Sequence, residues 1–218
     1  MKLPLVLFAA ATLLLQSGCV TGRRTLSLDV PSGVAPAATK GKVYIAAVTD
    51  DRVFQNKPSD PSIPSIDGDV ATLSAHQKDV MIGRQRNTWG HAMGDIGLSD
   101  NDSVTKRVHS LVEEGLKRSG YEVGSSPDAP NSVSVSINQF WAWMTPGMWA
   151  LTFEARISTK VTLKTVAGSS DFVVLGLGTN HGQVAKDENW QEAFQPAFAD
   201  YLANFKREMA KVETPSGH

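Results

Sequence analysis

The 218-residue chain predicts an α+β fold: a largely antiparallel sheet of four to five strands, two main helices packed on one face, and a long irregular insertion after the first core strand. Three observations carry this expectation. Apolar residues recur at helical spacing near residues 104–119 and 187–212, and they alternate with polar residues at a period of two in the segments between. The resulting order is β, insertion, α, β, β, β, α. Helices laid on one face of an antiparallel sheet satisfy that order most economically.

The chain begins with Met1 and Lys2, then an apolar run from Leu3 to Leu15. That run is too short to cross a bilayer comfortably and is the right size for a secretory signal core. Gln16, Ser17 and Gly18 follow, and then Cys19, the only cysteine, which has no intramolecular disulfide partner. The stretch resembles a bacterial lipoprotein signal peptide, with Gln16 where the lipobox prefers Leu. The resemblance implies that residues 1–18 are a leader and that Cys19 becomes the lipidated first residue of the mature chain. Val20 after it, rather than Asp, implies sorting to the outer membrane.

Residues 19–41 are rich in Thr, Ser, Gly, Ala and Pro and read as the lipidated N-terminus and a flexible tether of about 25 Å. Leu26, Leu28 and Val30 alternate within it and allow a short edge strand. Residues 42–212 form the single domain and 213–218 a disordered tail. KVYIAAVTD (42–50) is the first core strand, apolar on both faces and so expected in mid-sheet. No regular pattern follows until Asp102, a span too long for a neutral connection.

The first main helix is signalled by Asp102 or Ser103 as cap, by Val104, Val108, Leu111, Val112 and Leu116, and by Gly120 as terminator. Val133, Val135, Ile137, Trp141 and Trp143 share one parity. Leu151, Phe153, Ala155, Ile157, Val161 and Leu163 share a second, opposed by charged and polar residues. Thr145-Pro146-Gly147 between them predicts a hairpin turn, and DFVVLGLGT a further strand. The final apolar stripe, from Trp190 to Met209, contains Pro196, which predicts a break followed by a new helix with Pro196 in its first turn.

Charge is nearly balanced, 21 basic against 22 acidic residues, which gives no field for gathering nucleic acid. GLGTNHG (176–182) lacks the spacing of a dinucleotide loop and reads as close backbone packing at a strand end. Asp67-Gly68-Asp69 cannot complete a calcium loop, because Ala71 and Lys78 occupy ligand positions. The five histidines lack metal-binding spacing, no GxSxG motif surrounds a serine, and no catalytic residue, metal or cofactor is expected beyond the lipid on Cys19.

Two features remain as candidate sites. In IGRQRNTWGHAMGDIG (82–97), Arg84, Arg86, Trp89 and Asp95 either form a binding loop, with arginines for an anion and an aromatic ring for stacking, or pin an irregular segment to the core. Around the hairpin, Trp141, Trp143, Met144, Met148 and Trp149 either form an exposed interaction tip or belong to the core.

The lipobox, TLSLDV, RVHSLVEEGLKRSGYEV and VSVSINQFWA together resemble the YajG-type uncharacterised outer-membrane lipoproteins, some of whose relatives carry a flagellar biosynthesis label. The resemblance implies a lipid-anchored protein on the periplasmic face of the outer membrane. The expected function is non-enzymatic docking to an envelope protein, in an assembly, transport or flagellar auxiliary role. The alternatives are a small-ligand or glycan-binding domain and, third, an unrecognised hydrolase.

Overall fold

The computed structural model describes residues 22–33, 36, 38–99, 101–125 and 129–213. The expected leader (1–18), Cys19 and residues 214–218 of the expected tail lie outside them. The described residues form a mainly β architecture, eight strands in one mixed sheet with three helices. This overturns the expected small, largely antiparallel sheet. Strands β1 (Arg24–Leu26) and β4 (Ala92–Leu98) pair in parallel, as do β2 (Gly41–Asp50) and β5 (Tyr121–Gly124). The long strand β6 (Asn131–Pro146) pairs in parallel with β2 along its first half and with β3 (Met81–Arg86) near its end. Only β3–β4, β6–β7 and β7–β8 are antiparallel, with β7 at Leu151–Thr165 and β8 at Gly168–Gly182.

The supposed irregular insertion therefore contains two strands, and its sequence hides them for a physical reason. All six residues of β3 are buried, so no alternation marks it. Its glycines disfavour a strand by propensity but are needed for close approach. A Cβ on Gly83 would stand 2.7 Å from the Ala142 carbonyl oxygen, and one on Gly94 only 2.1 Å from that of Gly22. The segment also contributes a short helix, α1 (Ala75–Asp79), opened by a capping box between Ser74 and Gln77.

Helix α2 (Val104–Arg118) starts at Ser103, whose side chain accepts from the Lys106 amide, and gives way to Gly120 at φ +94°. Helix α3 (Asp187–Glu213) is continuous, so the break expected at Pro196 does not occur. Pro196 lies on the solvent side, where the missing hydrogen bond is tolerated best. Trp190, Phe194, Phe198, Tyr201, Leu202, Phe205 and Met209 on the opposite side are all buried, and their burial offsets the cost of about 3 kcal/mol.

Both helices cover one face of the sheet and share a single large core with it. Within that core the Thr159 and Tyr201 hydroxyls meet at 2.7 Å, and burial pushes the Tyr201 phenol well above its usual pKa. Strand β2 is interior to the sheet as expected, yet only Val43 on it is fully buried, so one of its faces is open.

A bulge at Asn138 organises the rest. The register between β6 and β7 shifts between Ile137 and Gln139, which reverses the parity of every later residue on β6. Val133, Val135 and Ile137 face the helices, and beyond the bulge Phe140, Ala142 and Met144 do so. Trp141 and Trp143 turn to the other face, where Phe54, Ile66, Val80 and Met81 bury them in a second cluster. Residues 51–80 are thus a covering layer for this pair. Arg52 fastens the layer. Its guanidinium pairs with Asp50 at 2.7 Å and donates to the carbonyls of Met81, Phe140 and Lys78.

Candidate functional site

Because β3 and β6 run in parallel, the turns that follow them project from the same end of the sheet. The first turn carries Trp89, 84 % exposed, and the second carries Met148 and Trp149, 89 % and 83 % exposed. Asn87 builds the first turn: its side-chain oxygen accepts from the amides of Trp89 and His91, and its own amide donates to the His91 carbonyl. The second turn closes through a bond from the Gly147 amide to the Ala150 carbonyl. It is displaced from the expected Thr145-Pro146-Gly147, because Pro146 still pairs with Leu151 in the ladder.

Two other parts of the chain arrive at this end. Leu151 pairs with Gly182 at the close of β8, so the exposed Val184 follows immediately. The chain also enters here, since the Gly22 amide donates to the Met93 carbonyl at 3.1 Å and β1 runs parallel to β4 away from the Trp89 turn. The residues after it do not form a free tether as expected. Leu26 and Leu28 are in the core, and Gln191 and Gln195 of α3 donate to the carbonyls of Ser27 and Asp29. Arg118 donates to the Pro31 carbonyl and Glu114 accepts from the Gly33 amide.

The structure divides the residues of the expected binding loop. Arg84 and Arg86 are buried on β3, while Trp89 stands apart at the tip, so the three do not converge on one ligand. Arg86 donates to the Pro58 carbonyl and to the Ser65 hydroxyl, and burial together with neighbouring Arg84 lowers its pKa. Arg84 reaches Asp95 and Asp67, each at 3.4 Å. These three residues and Arg23 line a cleft of about 240 Å³. Burial raises the Asp95 pKa, against the opposing influence of the Asp67 amide and Arg84. The Nε of Arg84 and Oδ1 of Asp95 make no well-aligned hydrogen bond.

The hairpin candidates separate in the same way. Trp141 donates its indole N–H to the Pro61 carbonyl at 3.2 Å, and the Arg156 guanidinium lies 5.3 Å from the centre of the Trp143 ring. Met144 belongs to the main core, which leaves Met148 and Trp149 as the exposed tip. Sequence spacing offered no sign that this tip and the Trp89 tip would stand side by side.

GLGTNHG lies within β8 against α3, where a Cβ on Gly178 would meet the Ala193 carbonyl oxygen at 2.1 Å. Asp69 caps a single turn at Val70–Thr72, and the Asp67 side chain is exposed. Among the described residues, no group of three His, Cys, Asp or Glu side chains gathers as a metal site, and no helix is long and apolar enough to cross a membrane.

Comparison with known proteins bears out the lipoprotein resemblance. Residues 91–173, from the end of the β3–β4 turn through all of β7 and into β8, match the model of a family described as an uncharacterized lipoprotein. No curated protein matches the chain. Among solved structures, the chain is similar to a Xanthomonas campestris protein of family DUF330, at 11 % identity and a TM-score of 0.40, over 88 % of this chain and 92 % of that one. It is also similar to a candidate neuraminyllactose-binding hemagglutinin homolog from Helicobacter pylori, at 9 % identity and a TM-score of 0.39, over 87 % and 94 % of the two chains.

Proposed function

We propose that the protein is a non-enzymatic lipoprotein of the outer membrane, facing the periplasm, whose domain docks onto another envelope component through the end of the sheet that bears Trp89, Met148 and Trp149. The match to a lipoprotein family supports the anchor. The observation that carries the docking surface is the parallel pairing of β3 with β6, which gathers three large, exposed apolar side chains from two distant turns. Photo-crosslinkers placed at positions 89 and 149 in intact cells test this reading. Adducts from both positions, and none from position 166 in the opposite turn of the sheet, are expected. Equal labelling from all three positions contradicts it.

A second reading has one specific support, the cleft beside Arg84. An arginine and a carboxylate with poorly satisfied polar atoms suit a small polar ligand. Thermal stabilisation by simple sugars or organic acids, abolished by Arg84→Met, would favour it over docking.

A further inference from the structure

We infer that the docking end faces lipid: Trp89, Met148 and Trp149 seat in the interfacial layer of the same membrane that the acylated Cys19 enters. This rests on the lipoprotein reading and names the component that the proposed surface meets.

Covalent reach sets the geometry. Gly22 is fixed beside Met93, and only three residue steps separate it from Cys19, a span of about 10 Å at full extension. The Trp89 turn projects beyond Met93 by a similar distance, since Asn87 and His91 close its base two residues further along. The anchor therefore cannot reach the bilayer while leaving this end of the sheet far from it. Residues 22–33 would have supplied slack as a free coil, but they are bonded along α2 and α3.

The side chains at this end suit the interfacial layer. Tryptophan favours the boundary between headgroups and acyl chains because its ring is apolar and its indole N–H is polar. Both exposed tryptophans of the described residues stand here, whereas Trp141, Trp143 and Trp190 are buried. Met148 adds a flexible apolar chain and Val184 a smaller one. Charge nearly cancels at this end: exposed Lys186 and Glu188 at the start of α3 are opposite in sign, Arg24 is paired with Asp187, and Arg23 and Arg84 share their cleft with Asp67 and Asp95. Seating should thus depend on apolar burial and be insensitive to salt. The sixteen residues of β6 then carry the far end of the sheet about 50 Å from the lipid, with the exposed Val166 of the β7–β8 turn at the periplasmic extremity.

The test uses the full lipidated protein in vesicles of phosphatidylethanolamine and phosphatidylglycerol, with and without bromine on the upper acyl carbons. Bromine should quench the emission carried by two of the five tryptophans, unchanged by added salt, and Trp89→Phe with Trp149→Phe should remove the quenching while leaving circular dichroism unaltered. A protein that floats with the vesicles but is not quenched keeps its anchor and overturns the lipid contact, leaving an envelope protein as the occupant of this end. Quenching that persists in the double variant overturns it too, because buried tryptophans would then be responsible. A protein that fails to float overturns the anchor and the inference together.

Discussion

The Gly22 amide and the Met93 carbonyl, joined at 3.1 Å, fix where the chain leaves the fold toward Cys19. Every residue from Gly22 to Gly33 is then committed to the domain surface or its core. The stretch looked like a tether because Thr, Ser, Gly and Pro dominate it, yet Leu28 is completely buried. Leu28→Ala should therefore destabilise the protein by about 2–5 kcal/mol in urea unfolding, as in other core truncations. An unchanged midpoint would restore the free tether.

The bulge at Asn138 is the second structural decision. Deleting that one residue would leave β6 in plain alternation, with Ile137, Phe140, Ala142 and Met144 still facing the helices and Trp141 and Trp143 still turned away. A chain lacking Asn138 should therefore keep its cooperative thermal transition, whereas a chain lacking Ala142, which moves Trp143 to the helix-facing side and sends Met144 outward, should lose it. Loss of the transition in both chains would show that the bulge itself, rather than the choice of face, holds the strand in place.

How far the sequence disclosed the fold follows from these particulars. Strand β7 and helix α2 were legible because each has one wet face, which imprints a period of two or of 3.6. Strand β3 was not, being buried throughout and supplied with a glycine for packing rather than propensity. The two tryptophans shared the parity of Val133 in the sequence, and no periodicity reveals an extra residue between Ile137 and Gln139. Arg84 and Arg86 suggested an anion grip by type, but the Pro58 carbonyl that engages Arg86 lies 28 positions away, and Asp95 meets Arg84 only because β3 and β4 pair across that position. Arg52 was missed altogether for the same reason, since its carbonyl partners Met81 and Phe140 lie 29 and 88 positions away.

Gly178 tests the packing of α3 on β8. Gly178→Ala should cost about 1–3 kcal/mol through overpacking against the Ala193 carbonyl. Gly124→Ala, where nothing lies within 4 Å of the added carbon, should be near neutral. Chemical denaturation of the two variants separates a steric cause from a general intolerance of alanine for glycine in strands. Similar losses in both would refute close approach as the reason for Gly178.

Asp95 supplies a pH signature. Burial holds its carboxyl above the ordinary value of 3.8, so the folded state binds the proton more tightly than the unfolded chain does. That contribution is fully present below 3.8 and is lost as pH rises through the raised folded value. Asp95→Asn fixes a neutral side chain, so its stability relative to the parent should improve as pH rises above 3.8 and level off once the raised folded value is passed. A flat or opposite trend in urea titrations would mean that Arg84 and the Asp67 amide outweigh burial.

Acylation of Cys19 is what ties the domain to a membrane, and metabolic labelling with a fatty acid followed by membrane fractionation measures it. The parent chain should carry label and sediment with the outer membrane, while Cys19→Ala should be unlabelled and released. An unlabelled parent, or a variant that fractionates identically, would contradict the anchor and remove the reason for placing Trp89 and Trp149 at a membrane.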